Sequence, residues 1–540
     1  MAKSKLTANQ LKFVDNNQIE HTVIDLEKQD IITKFPFVDV RAYGAKGDGV
    51  YDDSQALQQA LTEIGTKEAT LLIASPLYIK SNITIPENIN LKFIKGGKLV
   101  VDNGVTITIN SSIDAGLYQI FDGEGLVTGN PKIKEAYPEW FGAKGDGVHD
   151  DTLAIQKAVD FYFTVFKQNY LITNQIIIKR NVKFEGGKII VNPISGNISY
   201  ILIQETNYGD LLKMEGMTIL GSGTYQLGVK TANCNGVEVI GDVQVVFYDL
   251  NVENFDKGVI LNNNLGHIYF YNPMITKNYY GVYVEKNSSD YLFVGGMVDG
   301  NSFANIACGF EGIDSLTILH THIGHAPYGI YQEQTDGSVN HAGLTDITLI
   351  KARFEAIGNG AIITDKANST SRNIYINSIG FSYSSSYTYG TVEDYAIWFD
   401  ILQGGNSEIR GDIANLGVGA IYIDHLAENL KLVGNFSFNS LDSGYVNIAS
   451  REDRAHITSV NTNGGSVLVP SGSTAYTVSF PIAKLCDPAK CVIVLTPEGT
   501  GGVAPYMYIT DITDDGFTIN FDNALTSDLV VRYKIIPFSA

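Results

Sequence analysis

The chain has 540 residues, 44% of them hydrophobic and 18% charged, with a formal net charge of −20. That length exceeds one ordinary core, so roughly two to four domains are expected, and the balance is that of a folded chain, not a disordered one. So acidic a surface argues against non-specific binding to nucleic acid or anionic membranes, and no apolar run reaches the length of a membrane span. The 54 glycines and 30 tyrosines, with only 6 methionines, point to strands and turns. The four cysteines, Cys234, Cys308, Cys486 and Cys491, form no dense disulfide framework, although Cys486 and Cys491 flank a proline and could approach each other. No Cys/His spacing indicates zinc and no local acidic cluster indicates calcium, so neither a metal nor a cofactor is expected.

Residues 1–36 are polar with scattered apolar positions, and are expected to form an extended or partly helical leader joining another subunit. Their start, MAKSKLTANQLKFVDNNQ, holds no apolar run able to act as a signal peptide. A protein acting outside the cell would therefore be made in a cytoplasm and leave by another route, such as lysis.

A repeated motif follows. Residues 37–60 read FVDVRAYGAKGDGVYDDSQALQQA and residues 137–158 read YPEWFGAKGDGVHDDTLAIQKA. Gly44, Gly47 and Gly49 allow a tight turn. Asp52, Asp53 and Ser54 can cap a helix, and Ala56, Leu57 and Ala60 then share one helical face. Asp150, Asp151, Thr152, Ala154, Ile155 and Ala158 repeat this arrangement. No Lys-Ser/Thr follows the glycines at the spacing a phosphate loop needs, so the motif reads as structural.

These residues resemble the opening of pectate-lyase-like β-helix proteins, especially bacteriophage tailspikes and capsular polysaccharide depolymerases. Two copies, the second introduced by PEW-F-G-A, are similar to tailspikes of phages that attack encapsulated Gram-negative bacteria such as Acinetobacter. The resemblance covers about 45 residues and implies a homotrimer of right-handed parallel β-helices, in which an α-helix caps the end of each solenoid. It also implies a place in the virion tail, attachment to the tail or to an adaptor protein, and action on capsular polysaccharide at the host surface.

Beyond the second copy the sequence itself has a solenoid beat. Short apolar runs that open Gly-[Val/Ile/Ala] begin at Gly258, Gly281, Gly329, Gly360 and Gly419, with Gly444-Tyr-Val-Asn after them and Asn305-Ile-Ala-Cys between the second and third. Second strands begin at Ile268, Leu316, Ile347, Ile374 and Leu430. A period in the low twenties with Gly/Asn corners predicts coils of a parallel β-helix. Two coils are long, through residues 335–342 and a Ser/Tyr-rich loop at 383–394, and such loops border binding grooves. From about residue 462 alternating strands and turns predict a small antiparallel β-sandwich. The expected fold is all-β: leader (1–36), N-terminal β region with short helices (37–136), parallel β-helix (137–455), and a sandwich (456–540) that caps the solenoid, locks a trimer or binds sugar.

Stacked coils lie about 4.8 Å apart, which turns spacing into geometry. Glu285 and Glu333 each stand four residues after a glycine, two coils apart, so their backbones should be about 9–10 Å apart. Inverting glycosidases hold two carboxylates at about 6.5–9.5 Å and retaining ones at about 5 Å. Asp299 and Glu355 share a second position, and Glu311, Asp314 and Asp336 lie in nearby corners. Glu333 and Asp336, which open the first long coil, are the leading catalytic candidates, although carboxylates at corners commonly serve turns alone. Alignment also sets His320 over Lys351 and His322 over Arg353, with His325 beyond. Such cations would hold an acidic sugar or serve elimination beside a uronate; as plain structure they are hydrogen-bonded strand residues. Tyr283, Tyr331, Tyr387 and Trp398, within a wider group including Tyr269, Tyr271, Tyr279, Tyr280, Tyr291 and Tyr328, offer faces on which sugar rings stack.

Four functions follow from these residues: a glycoside hydrolase using paired carboxylates, a polysaccharide lyase using the His/Lys/Arg column, a receptor-binding spike without catalysis, and a free pectin-degrading enzyme. The missing signal peptide and the C-terminal strands weigh against the last, and the hydrolase is favoured.

Overall fold

The computed structural model describes residues 37–193 without interruption. It also describes 198–437 apart from 205–210, 231, 233, 264–265, 286–289, 310, 335–340, 366–368, 378–379, 389–394, 404–406, 411–412, 415–418, 427–429 and 434–435. Beyond these it describes 446–448, 457–460, 465–479, 491–498, 506–513, 516–527 and 529–537, and the backbone of 3–7, 10–14 and 20–25. Two compact units are seen, residues 1–189 and 190–540.

In the first unit, strands Lys3–Thr7, Gln10–Val14 and Glu20–Asp25 form an antiparallel meander. Parallel pairing begins early, with Ala69–Ile73, Ile89–Phe93 and Ser112–Asp114 in one ladder. Pro76–Ile79, Lys98–Val101 and Phe121–Gly123 form another, and Ile83–Ile85, Thr106–Ile109 and Leu126–Thr128 a third. Both copies of the repeated motif lie in this unit and open helices Ser54–Ile64 and Thr152–Phe161. Ala56, Leu57, Ala60, Ile155 and Ala158 are buried as the helical spacing requires.

The aspartate pairs divide their work differently from simple capping. Asp52 Oδ1 accepts from Ser54 N at 3.0 Å, and Asp150 Oδ1 from Thr152 N at 3.0 Å. Asp53 and Asp151 hold the residue position that precedes each helix but make no cap hydrogen bond. Their carboxylates turn back and accept from Lys46 N (2.7 Å) and Gly47 N (3.2 Å), and from Lys144 N (2.7 Å) and Gly145 N (3.0 Å). The glycine turn, left-handed at Gly47 and Gly145, aims two N–H groups at one anion. A buried aspartate therefore staples the loop to the helix.

In the second unit three ladders of parallel strands stack. Val259 pairs with Val282, Val282 with Ile306 and Ile306 with Ile330, advancing 23, 24 and 24 residues per coil. The next pairs, Ile330 with Ile362 and Ile362 with Ile397, advance 32 and 35, which are the two long coils. The second ladder runs through His267–Tyr271, Asp290–Val294, Leu316–Leu319 and His341–Ile350. A short third strand, absent from the Gly-based pattern, completes each coil: Asn251–Glu253, Met274–Thr276, Met297–Asp299, His322–Gly324 and Arg353–Ile357. Inside, Phe247, Phe270 and Phe293 stack with centroids 5.0 and 4.5 Å apart.

The corners are columns of left-handed residues. Asn254, Lys277, Gly300, His325 and Ala356 form one, and Asp249, Asn272, Gly295, His320 and Lys351 another. Beside the first runs a buried asparagine ladder. Asn278 N and Nδ2 donate to Asn301 Oδ1 at 3.0 and 3.1 Å. Asn301 Nδ2 donates to Ile275 O and Asn305 Oδ1, and Asn305 Nδ2 to Gly324 O. Residues 465–537 hold two three-stranded antiparallel sheets around Val469, Val478, Phe517, Ile519, Phe521 and Val531. Cys491 lies in one of these strands, while Cys486 is outside the described residues.

Asn301→Ala takes a hydrogen-bond partner from three buried neighbours, Asn278, Ile275 and Asn305, and should cost about 3 kcal/mol of stability. Denaturant unfolding of the two proteins checks this.

Candidate functional site

The predicted residues collect into two groups on adjoining strands of the same coils. The first lies where the third strand ends. Asp299 pairs with Gly324 and Gly324 with Glu355, so the two carboxylates share a column with a glycine between them. His322 pairs with Arg353 in the neighbouring column. Asp299 Oδ1 lies 3.1 Å from His322 Nε2 and 3.0 Å from His325 Nδ1. On the far side His322 Nδ1 is 3.8 Å from Glu355 Oε2, which Arg353 holds at 2.8 Å. The two imidazoles are parallel, 5.8 Å apart, because the left-handed backbone of His325 folds it back beside His322.

Two loops wall this group. Tyr387, from the described part of the Ser/Tyr-rich loop, sets its ring edge-to-face with His325 at 5.3 Å. That loop sits directly on Gly358, where a Cβ would lie 2.0 Å from Tyr387 O. Tyr225, which the sequence pattern missed, comes from the 221–230 loop. Burial foremost, then the charges of Tyr387 and Asp299, raise its phenol above the usual tyrosine range. Its only sequence signal is a tyrosine in a Gly/Ser-rich stretch.

The second group lies on the outward side of Tyr280–Val284, Ala304–Cys308 and Tyr328–Gln332. Val284 pairs with Cys308 and Cys308 with Gln332, so the following residues, Glu285, Gly309 and Glu333, form the expected column. Glu333 Oε1 accepts from Tyr280 OH at 3.2 Å, and Tyr283 OH also donates to Glu333. Burial first, then the Glu333 charge, pushes both phenols and the Cys308 thiol well up. Glu285 is exposed and pairs with Lys257 at 3.3 Å, whose ammonium lies 3.5 Å over the Tyr283 ring. Tyr328 and Tyr331 lie 4.4 Å apart, Phe303 meets Tyr331 edge-on at 5.2 Å, and Trp398 packs on the same aromatic face. Lys257 and Phe303 were not foreseen, since neither stands in a carboxylate or tyrosine pattern.

Other candidates stay outside both groups. His320 and Lys351 do align, but as exposed left-handed corner residues. Tyr291 is interior. Glu311 is exposed. Asp336, with residues 335–340, lies outside the described residues. Asp314 sits half-buried beside Asp290, Asp346 and Arg372; burial first, then the two carboxylates, raise its pKa, and Arg372 opposes them. The absence of a familiar metal-ligand spacing does not carry into three dimensions. Asp299, His322 and His325 offer ligand atoms all within 4.8 Å of one another.

No family model matches the chain. It is similar to the capsule-specific Depolymerase 1 of Klebsiella phage K5-2, 30% identical over 142 residues, or 19% of this chain and 18% of that protein. The match thus spans less than a fifth of the relative's length. Among solved structures, it is similar to tailspike protein 2 of Escherichia coli O157:H7 bacteriophage CAB120 (12% identity, TM-score 0.41, 76% of this chain and 63% of that one). It is also similar to the tailspike gp49 of Acinetobacter baumannii bacteriophage Fri1, a capsular polysaccharide depolymerase (11%, 0.31, 75% and 86%). A third is the gp54 tailspike of Acinetobacter baumannii bacteriophage AP22, solved with a capsular saccharide (11%, 0.28, 97% and 99%).

The raised pKa of Asp314 has a defined sign. Its contribution to stability is fully present below the unfolded aspartate value of 3.8 and is lost as pH rises through the folded value. Asp314→Asn should therefore flatten the fall in thermal midpoint above about pH 4 and raise the midpoint near pH 7. Melts across that range check it.

Proposed function

We propose that the chain is a bacteriophage tailspike that binds a bacterial capsular polysaccharide and depolymerises it by hydrolysing a glycosidic bond. The observation that carries this reading is the column Glu285–Gly309–Glu333 beside an aromatic wall. Two parallel coil steps separate the carboxylate backbones by about 9–10 Å, the range from which side chains reach the spacing of an inverting pair. Gly309 puts no side chain between them. Their surroundings differ, as an acid and a base require. Glu333 is half-buried under two phenols and is assigned as the acid that protonates the leaving oxygen. Glu285 faces solvent beside Lys257 and is assigned as the base that activates water. Tyr331 and Trp398 present ring faces and edges for the apolar sides of sugars.

The similarity to a capsule-specific phage depolymerase agrees with this substrate class. In the same reading three chains assemble side by side, the C-terminal sheets hold the trimer, and the leader meets the phage tail or an adaptor.

A second reading is elimination beside a uronate. It is favoured by the convergence of His322, His325 and Arg353 on one half-buried pair of carboxylates. An imidazole would remove the proton next to the sugar carboxylate while Arg353 neutralised that carboxylate; the ring double bond forms as the C–O bond to the leaving sugar breaks, and the imidazolium or a water protonates the departing oxygen.

Digestion of capsular polysaccharides from a panel of Gram-negative isolates separates the readings. New reducing ends without near-ultraviolet absorbance support hydrolysis; absorbance from an unsaturated uronate moves the chemistry to the histidine group. Tight binding with neither signal makes the chain a receptor-binding spike. Glu333→Gln should lower the hydrolytic rate by about two decades or more, and an unchanged rate removes Glu333 from the role of acid.

A further inference from the structure

We infer that Asp299, His322 and His325 form a binding site for a divalent first-row transition ion, with zinc as its best-suited occupant. Two imidazole nitrogens and one carboxylate are a donor set of borderline softness, suited to zinc, cobalt or nickel and poorly suited to calcium or magnesium. Three protein ligands leave a coordination position open.

The geometry goes beyond a chance cluster in three respects. His322 Nε2 is buried and has no hydrogen-bond partner, although Asp299 Oδ1 lies 3.1 Å away, so the contact has the distance of a bond without its alignment. A buried nitrogen aimed at a carboxylate without bonding it lacks the partner that a cation would supply. Next, Gly324 keeps the space between the donors open. A Cβ there would lie 2.8 Å from His322 Nε2 and 3.0 Å from Asp299 Oδ1. Lastly, a second-layer carboxylate stands near. Glu355, held by Arg353, lies 3.8 Å from His322 Nδ1, longer than a hydrogen bond; on closer approach it would accept from Nδ1–H and leave the Nε2 lone pair to the site. Tyr387 braces the His325 ring from the side.

The ligands come from two coils: Asp299 from one, His322 and His325 from the next. A bound ion would clasp those coils together at the point where the 384–388 loop rests. The site is separate from Glu285 and Glu333, so it does not rest on the hydrolytic reading.

The test uses the full-length chain without a histidine tag, stripped with EDTA and freed of chelator. Equilibrium dialysis against zinc chloride with elemental analysis should find one zinc retained per chain. His322→Ala and His325→Ala should each weaken retention by at least ten-fold, and Glu355→Gln by about ten- to a hundred-fold. Glu333→Gln should bind like the parent. Cobalt substitution should give visible d–d bands in the parent that His325→Ala loses. Far-UV circular dichroism and melting in EDTA show whether each variant is folded. Should an alanine variant not fold, carbethoxylation of the parent decides, since zinc should protect His322 and His325 and leave His320 reactive. No retained zinc in the parent, equal retention in the histidine variants, or no protection overturns the site.

Discussion

The register of the parallel coils is the constraint on which everything else rests. In a parallel sheet, pairing alone does not resist a slip of one residue, and such a slip would turn every inward side chain outward. Here the register is pinned at the corners. Left-handed residues reverse the chain at matched positions, and the asparagine ladder exchanges hydrogen bonds from coil to coil inside the bend. A buried amide needs its partners in place, so each asparagine penalises any register that removes them. The ladder ends on the carbonyl of Gly324, the residue just before His325. The device that fixes the coils therefore also places the histidine group.

Once register is fixed, function is a matter of columns. A residue gains a neighbour one coil away merely by standing at the same point in its own coil. Glu285 and Glu333 meet in this way, as do Asp299 and Glu355, and each pair has a glycine at the middle position. Aromatic rings follow the same rule: Phe247, Phe270 and Phe293 stack inside, while Tyr248 and Tyr271 stack on the outer face with centroids 5.3 Å apart. The strands Tyr280–Val284 and Ala304–Cys308 are buried at every position because rings roof their outer side.

How far this was legible in the sequence depends on the range of each signal. The Gly-x-x-x runs and the step of 23 to 24 residues come from local strand and corner chemistry, so the coils and both carboxylate columns could be placed without coordinates. The third strand of each coil is only about three residues long in its most regular examples, such as Met297–Asp299. That is too short for alternation to stand out. Capping by Asp53 and Asp151 was the natural reading of an acidic residue before a helix, but the glycine turn offered each carboxylate two N–H groups at once. The approach of Asp299 to His322 and His325 was hidden for a different reason. His325 is brought beside His322 by a left-handed φ of 48°, and histidine is not the residue that announces such a turn. Tyr225 and Lys257 reach their groups from other coils, and nothing in their own neighbourhoods marks them.

Columns also carry an electrostatic cost, and this explains where the carboxylate pairs stand. Two like charges one coil apart, at about 4.8 Å, repel by roughly 3 kcal/mol at an effective dielectric of about 20, and by half that at two coils. In each unit charges of opposite sign meet between adjacent coils: Lys92 with Asp114 at 2.6 Å, and Lys277 with Glu253 at 2.6 Å. In the columns Glu285–Gly309–Glu333 and Asp299–Gly324–Glu355 a glycine stands between the carboxylates and holds them two coils apart. That spacing is the one at which repulsion is tolerable and a water or a glycosidic oxygen still fits between the carboxyl groups. In these two columns the spacing that eases repulsion is thus also one at which a pair of carboxylates can act on a bond between them.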